Sequence, residues 1–357
     1  MWNNSKIQIQ NLQTIKMLSN FNCTIMKKLS LLLIGFLLIP SLLFTSCDRG
    51  EDPGSGTTLP AFQLMKDHMI ANKLDISDIL VNPDGEKFVV PAPAAADYDA
   101  FIAKYYILDI RKADAFNAGH IKGAKNIAFK DILTEAGNSG GKPILMVCYT
   151  GQTACFATSL LRLYGYSHTR ALKWGMSGWN AATAGPWNNN IGDVAKNNTN
   201  WNYSSAPANN VFDDPTLSSL SQDGAEILKA RVEQVVQEGF KTVKGKDVLD
   251  NPGDYFVNNY FNANDYSAFG HVANAYRINP FHLSDNTYKG HNSSGKVVTY
   301  CYTGQTSAVI TAYLRVLGYD AYSLLFGMNG LYHSNDAWKK NQWGVGSSVP
   351  KDLPLIK

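Results

Sequence analysis

Residues 143–164 read Pro-Ile-Leu-Met-Val-Cys-Tyr-Thr-Gly-Gln-Thr-Ala-Cys-Phe-Ala-Thr-Ser-Leu-Leu-Arg-Leu-Tyr, and this stretch decides the fold. A short apolar run ends at Cys148, a glycine turn follows, and apolar residues then recur at helical spacing up to Tyr164. The pattern predicts a buried strand, a tight loop and a helix. Such a loop points backbone N–H groups and the positive end of the helix dipole at the sulfur. We therefore expect a cysteine whose pKa is lowered from about 8.5 toward neutrality.

The same hexapeptide occurs a second time in the chain. Cys-Tyr-Thr-Gly-Gln-Thr stands at 148–153 (loop 1) and again at 301–306 (loop 2). The second copy also lies between an apolar run and a helical pattern, at 297–300 and 307–317. The two cysteines are 301 − 148 = 153 positions apart. A repeat of this length predicts two domains rather than a solenoid.

Longer motifs surround both loops. The first half carries Asp-Ile-Arg-Lys-Ala-Asp-Ala-Phe-Asn-Ala-Gly-His-Ile-Lys-Gly-Ala-Lys-Asn-Ile at 109–127, Leu-x-x-x-Gly-Tyr at 161–166 and Gly-Met-x-Gly-Trp at 175–179. The second half keeps Gly-His at 270–271, Leu-Gly-Tyr at 317–319 and Gly-Met at 327–328. Together with the two cysteine loops, these motifs resemble the rhodanese-like family of sulfurtransferases.

The resemblance implies both a fold and a reaction. Each half is expected to be a rhodanese-like domain, an α/β fold in which helices flank a small parallel sheet. In the implied reaction, the thiolate of Cys148 or Cys301 takes sulfane sulfur from a donor such as thiosulfate and passes it to a thiol or cyanide. Backbone N–H groups of the loop, and the hydroxyls of its last threonine, would stabilise the persulfide. The predicted substrate-binding residues are Tyr149, Thr150, Gly151, Gln152 and Thr153, and Tyr302, Thr303, Gly304, Gln305 and Thr306. No cofactor is implied.

The second half departs from the family pattern in one respect. Where the first half has Asp109 and Arg111, the second has Asn259 and Phe261. In the family this Asp-x-Arg pair holds the domain together near the site, so its loss weakens the case for activity, whereas the retained Cys301 argues against a dead copy. A different class of function is therefore kept open: a non-catalytic surface lipoprotein whose rhodanese-like domains bind a partner or sense redox state.

Other chemistries fit the loops less well. Cysteine phosphatases and arsenate reductases use a related loop but need an arginine at the position that Ala154 and Ser307 hold here. The resemblance makes His120 and His271 part of a structural turn rather than catalytic bases. No Cys/His spacing resembles a zinc site. The loops also lack the Arg-Lys pair of thiosulfate-preferring rhodaneses and the Cys-Gly start of mercaptopyruvate enzymes, so the donor stays open.

The N-terminus predicts export and lipidation. A basic start at Met26, an apolar stretch at 29–43 and small residues before Cys47 resemble a bacterial lipoprotein signal peptide over 26–46, with Cys47 as the lipidated residue. The alternative is an uncleaved anchor. Residues 1–25 are interpreted as a start-site extension, so Cys23 would be absent from the mature protein. Residues 47–58 would form a tether that holds a periplasmic or surface-facing protein at the membrane.

The remaining chain divides into a first domain at 59–203, a linker at 204–222 and a second domain at 223–357. A net charge of +3 and 17% charged residues give no bias toward nucleic acid. Cys155 is expected to be a small core residue rather than a resolving thiol, because its counterpart is Ala308. Aromatic residues are expected to pack as a structural lid: Trp187, Trp201, Tyr203, Trp338 and Trp343. Helices are predicted at 61–79 and 225–240, and further strands at 87–92, 105–110, 255–259 and 297–300.

Overall fold

The structure is a computed structural model that describes residues 59–357. The predicted start-site extension, signal peptide, lipidated Cys47 and tether lie outside the described residues. Within residues 59–357, no helix combines the length and the hydropathy that crossing a membrane requires.

The first domain is built on a five-stranded sheet with the order β1-β5-β4-β2-β3. All its pairings are parallel, and the apolar residues of the fourth strand, which leads to Cys148, are completely buried. Its strands are β1 Val89–Val90, β2 Tyr106–Asp109, β3 Lys125–Asn126, β4 Ile144–Val147 and β5 Arg170–Leu172. Its helices are α1 Ala61–Ala71, α2 Ile76–Leu80, α3 Tyr98–Lys104, α4 Ala113–Ala118, α5 Ile132–Ala136, α6 Gln152–Leu163, α7 Gly175–Trp179 and α8 Gly185–Asn188.

The second domain repeats this plan with four parallel strands. A short antiparallel pair, β6 Trp201–Asn202 with β9 His271–Val272, lies beside the main sheet. The main strands, in the order β7-β11-β10-β8, are β7 Thr242–Val243, β8 Phe256–Asn259, β10 Lys296–Tyr300 and β11 Asp320–Leu324. The helices are α9 Gly224–Glu238, α10 Gly245–Asp250, α11 Ala263–Phe269, α12 Gln305–Leu317 and α13 Met328–Leu331.

The predicted fold class is confirmed, because two parallel sheets are each flanked by helices. One predicted element is wrong in its extent. The helix expected at 61–79 is two helices, α1 and α2, since Lys73 between them adopts a left-handed φ of 54°. Asp75 then caps the second helix by accepting a hydrogen bond from the Ile76 N–H at 2.7 Å. The break places Asp75 where it also accepts hydrogen bonds from the N–H groups of Leu283 and Ser284 in the second domain.

One large hydrophobic cluster contains residues of both domains. Helices α6 and α12, which follow the two cysteine loops, pack against each other, and α1 packs against α9. Both helices carry small residues near their N-termini, Ala154 and Cys155 in α6 and Ser307 and Ala308 in α12. Among these, Cys155 and Ala308 are completely buried in the common core, which agrees with the predicted core role of Cys155.

The predicted aromatic lid is partly correct. Trp187 is completely buried and stacks on Trp343 of the second domain at a centroid distance of 5.5 Å. Trp201 and Trp338 belong instead to the core of the second domain. Tyr203 is 57% exposed and belongs to neither of these aromatic clusters.

Candidate active site

Loop 1 joins the buried strand β4 to helix α6 and wraps the sulfur of Cys148. Gly151 is the N-cap of α6 and has a φ of 85°, which confirms the predicted need for glycine at this turn. The turn aims two backbone N–H groups at one atom. The N–H of Gly151 lies 3.1 Å from Cys148 Sγ and that of Ala154 lies 3.3 Å from it.

In each domain, the segment with the Gly-Met motif packs against the backbone of the cysteine. The N–H of Met176 donates to the carbonyl oxygen of Cys148 at 2.9 Å, and that of Met328 does the same for Cys301, also at 2.9 Å. Gly175 and Gly327 precede these methionines with φ values of 58° and 52°, and a Cβ at either position would overlap the cysteine carbonyl. The glycine of the repeated Gly-Met motif therefore allows this backbone to approach the cysteine closely.

The thiol of Cys148 is more deeply buried than the sequence suggested. Its relative exposure is 4%. Burial raises the pKa of the Cys148 thiol, and the N–H groups of Ala154, Thr150 and Gly151 lower the pKa by a smaller amount. The net direction is upward, which is opposite to the predicted lowering. The reason is that the sulfur lies in the protein interior, so desolvation of the thiolate outweighs the amide dipoles.

A buried ion pair stands beside loop 1. Arg111 Nη2 lies 2.7 Å from Asp109 Oδ2 and also donates to the carbonyl oxygen of Gly119 at 2.9 Å. The guanidinium of Arg111 lies over the ring of Tyr149, 5.7 Å from its centroid. Because Tyr149 is 37% exposed, this pair supports the part of loop 1 that reaches solvent. The family-implied role of the Asp-x-Arg motif fits this geometry.

Loop 2 has the same backbone course but different surroundings. Among hydrogen bonds of the described residues, Cys301 Sγ accepts from a single backbone N–H, that of Ser307 at 3.3 Å, and contacts the Ser307 hydroxyl at 3.7 Å. Phe261 occupies the place of Arg111 and stacks on Tyr302 at 4.7 Å. Asn259 Oδ1 accepts the N–H of Phe261 at 2.8 Å, as Asp109 accepts that of Arg111 at 3.0 Å. The substitution thus preserves the turn and removes the charge.

The two loops face each other across the domain boundary. Gln305 Nε2 of loop 2 donates to the carbonyl oxygen of Thr150 in loop 1 at 3.0 Å. Gln152 Oε1 of loop 1 accepts the N–H of Phe326 in the second domain at 2.9 Å. Both glutamines are buried, at 2% exposure for Gln152 and 5% for Gln305. The structure therefore places these two predicted substrate-binding side chains in the interdomain contact.

The other predicted site residues are spread over different depths. Thr150 and Thr303 are buried, whereas Thr153, Thr306 and Tyr302 are half-buried. The hydroxyl of Tyr302 donates to Asp265 Oδ2 at 2.6 Å, and burial together with this carboxylate raises its pKa. A substrate role for these residues stays a prediction.

A small cavity lies next to loop 2. Its volume is about 170 Å³, and Cys155, Lys173, Thr303, Thr306 and Asn341 are among the residues that line it. Lys173 Nζ donates to Asn341 Oδ1 at 3.0 Å, and no carboxylate of the described residues lies within ion-pairing distance of it. Burial, then Lys340 and Lys87, lower the pKa of Lys173. Lys173 and Asn341 are not indicated by the sequence, because neither belongs to a repeated motif.

The two Gly-His histidines have structural positions. His120 Nδ1 lies 3.0 Å from the carbonyl oxygen of Phe116, and its ring stacks on the Phe116 ring at 3.8 Å. His271 repeats this arrangement with Tyr266, at 3.3 Å and 3.8 Å. Burial lowers the pKa of His271. These contacts hold the turn after a helix and agree with the expectation that neither histidine is a base.

The rhodanese-like domain matches the chain twice, at residues 94–182 and 259–334. The thiosulfate sulfurtransferase GlpE of Shewanella oneidensis is 34% identical over 79 residues, which cover 22% of this chain and 78% of that protein. The chain belongs to the rhodanese-like family. Two copies of the family's domain thus carry the two cysteine loops.

Two solved sulfurtransferase structures are similar to parts of this chain. The crystal structure of the thiosulfate sulfurtransferase from Pseudomonas aeruginosa is 14% identical, with a TM-score of 0.26, and the match covers 77% of this chain and 48% of that chain. The 3-mercaptopyruvate sulfurtransferase from Leishmania major is 12% identical, with a TM-score of 0.27, and the match covers 69% of this chain and 74% of that chain.

Proposed function

We propose that this rhodanese-like protein is a sulfurtransferase that moves sulfane sulfur from a donor such as thiosulfate to a thiophilic acceptor through a persulfide on Cys148. The observation that supports the proposal is the pair of backbone N–H groups, from Gly151 and Ala154, that converge on Cys148 Sγ. Donors fixed by a loop and by a helix N-terminus stabilise negative charge on sulfur without having to reorganise during the reaction.

The reaction has two displacement steps. The Cys148 thiolate attacks the outer sulfur of thiosulfate, a new S–S bond forms, and the bond to the sulfonate sulfur breaks so that sulfite leaves with its electron pair. The acceptor, a thiol or cyanide, then attacks the terminal sulfur of the persulfide and releases the thiolate. With cyanide, the product is thiocyanate. Each step transfers one sulfur atom, and no external oxidant or reductant is consumed.

The donor has to reach the buried sulfur of Cys148 before it can react. Cys148 is 4% exposed, and burial raises its pKa, so the closed arrangement favours the neutral thiol. We propose that the donor enters where Tyr149, which is 37% exposed, reaches solvent. The hydroxyl of Thr153, half-buried in the same loop, would donate to the persulfide.

Cys301 is proposed as a second, weaker centre. Its sulfur receives one backbone N–H rather than two, and Phe261 replaces the arginine beside the loop. The same observations favour a second candidate function for this half: a non-catalytic module that binds a partner or senses redox state. In a partner-binding module Cys301, which is 1% exposed, would be a core residue.

We further propose that the protein is a lipoprotein of the bacterial cell envelope, anchored through Cys47. The basic, apolar and small-residue segments before Cys47 support this. Metabolic labelling of expressing cells with an alkyne fatty acid tests it. Labelled wild-type protein and unlabelled Cys47→Ser are expected, whereas equal labelling of both would contradict lipidation.

Thiocyanate formation tests the proposed activity. The purified protein is assayed with cyanide and either thiosulfate or 3-mercaptopyruvate, beside the double variant Cys148→Ser/Cys301→Ser. Turnover with one donor that the double variant lacks would support the sulfurtransferase and identify the donor class. A folded protein that is inactive with both donors would favour the binding module.

A further inference from the structure

One peptide group of loop 1 is held from both sides. The N–H of the peptide between Thr150 and Gly151 points at Cys148 Sγ, at 3.1 Å. The carbonyl oxygen of the same peptide accepts two hydrogen bonds, from Gln305 Nε2 at 3.0 Å and from Trp187 Nε1 at 3.2 Å. Gln305 belongs to loop 2 of the second domain, and Trp187 lies in α8. All of these groups are buried.

The geometry of a peptide links its two ends. In a planar trans peptide, the N–H and the C=O point in opposite directions, so fixing the carbonyl also fixes where the N–H points. Rotation of this peptide would take the N–H off the sulfur and leave a buried carbonyl without its donors, which is costly. Gln305 and Trp187 therefore decide whether Gly151 donates to Cys148, although neither touches the sulfur.

Loop 2 lacks the reciprocal arrangement. Gln152, the counterpart of Gln305, turns its oxygen toward the N–H of Phe326 and donates through Nε2 to Thr150 Oγ1 in its own loop at 3.1 Å. Within residues 59–357, no hydrogen bond joins the Gly304 N–H to Cys301 Sγ. Of the two equivalent glutamines, Gln305 therefore supports the cysteine loop of the other domain through its peptide carbonyl, and Gln152 does not.

We propose that Gln305 is a positioning residue for Cys148, through which the second domain holds the Gly151 N–H on the sulfur, with Trp187 as the second donor to the same peptide. The second domain is then part of the first domain's active site. This inference rests on the proposed function only for the reaction of Cys148, since the positioning acts on the thiolate whether or not sulfur is transferred.

The test measures the acidity of one thiol. Alkylation of Cys148 by iodoacetamide is followed against pH by mass spectrometry of the peptide that contains it, in the wild type, Gln305→Met and Trp187→Phe. The midpoint of the profile reports the thiol's ionisation, because accessibility scales the rate equally at every pH. Each substitution removes one donor and is expected to shift the midpoint to higher pH, so that Cys148 reacts about fivefold more slowly at pH 7.

Two control variants separate a loss of positioning from a general weakening of the packing between the domains. Tyr313→Phe removes an interdomain hydrogen bond, from Tyr313 Oη to the carbonyl oxygen of Leu74 at 3.1 Å, away from the loops. Trp343→Phe removes an indole N–H that donates to Asn188 Oδ1 at 2.8 Å in the same aromatic cluster as Trp187. Both are expected to keep the wild-type midpoint.

The outcomes are decisive in either direction. Unchanged midpoints in folded Gln305→Met and Trp187→Phe, or equal shifts in the two controls, would overturn the proposal. If Gln305→Met does not fold, Trp187→Phe answers the question, since it acts on the same carbonyl. The assay uses no sulfur donor, so a shifted midpoint in a protein that makes no thiocyanate would support the positioning and reject the sulfurtransferase.

Discussion

Loop 1 and loop 2 share one hexapeptide and differ in what surrounds it. Cys148 receives two backbone N–H groups and lies near a buried Asp109–Arg111 pair. Cys301 receives one backbone N–H, and Phe261 stacks where the arginine would be. The glycine turns and the Gly-Met supports are the same in both domains. The repeated loop therefore keeps the same turn, whereas the charge beside the thiol and the side chains that hold the Thr150–Gly151 peptide come from residues outside that loop.

The largest expected difference between the loops is in turnover. Cys148→Ser should abolish thiocyanate formation, a loss of at least about 1,000-fold, because a serine hydroxyl does not replace a sulfur nucleophile. Cys301→Ser should leave most of the activity, since the Cys301 sulfur accepts one backbone N–H rather than two. Steady-state assays of both variants check this. A larger loss in Cys301→Ser than in Cys148→Ser would reverse the assignment.

The residues beside the loops should differ in their effect on stability. Arg111→Met leaves the completely buried carboxylate of Asp109 without its cation and should lower the free energy of unfolding by about 3–5 kcal/mol. Phe261→Met removes only apolar contacts and should cost about 1–2 kcal/mol. Urea titration of both variants measures the difference. Equal losses would show that the ion pair has no special role.

Acid should lower the stability of the protein through buried histidines of the second domain. The completely buried histidines of the described residues, His271 and His291, both lie there. Burial lowers the pKa of His291 to about 4. The unfolded chain binds a proton near pH 6.5, before the folded state does, so the stabilisation is complete above pH 6.5 and is lost as pH falls toward 4. The loss for His291 amounts to about 3 kcal/mol.

Urea titrations at pH 7 and pH 5 test this sign. The wild type should be less stable at pH 5, and His291→Gln should show a smaller difference between the two pH values. An unchanged pH dependence in His291→Gln would remove His291 from the account.

The smallest expected effect concerns Cys155. The second domain has Ala308 at this position, and both residues are completely buried. Cys155→Ala should lower the free energy of unfolding by about 1 kcal/mol through lost packing and leave turnover unchanged. Denaturation and the thiocyanate assay check both parts. A loss of turnover with normal stability would assign Cys155 a part in sulfur transfer.

The sequence was sufficient for the fold and for the candidate nucleophiles. Strand, loop and helix around Cys148 follow from local periodicity, and the repeat implied the second domain. The sequence does not predict the direction of the Cys148 pKa shift, because burial of the thiol is a tertiary effect that the loop residues alone do not determine. The split between α1 and α2 was missed for a similar reason, since Asp75 caps a helix and binds the second domain at once. Gln305 was found as a loop residue, but its contact with Thr150 depends on how the domains pack.

The most direct test of the account locates the transferred sulfur. The protein is incubated with thiosulfate, unreacted thiols are blocked, and mass spectrometry compares the peptides that contain Cys148 and Cys301. The account predicts one added sulfur atom on Cys148, removed by cyanide, and less or none on Cys301. An unmodified Cys148 beside a modified Cys301 would contradict it.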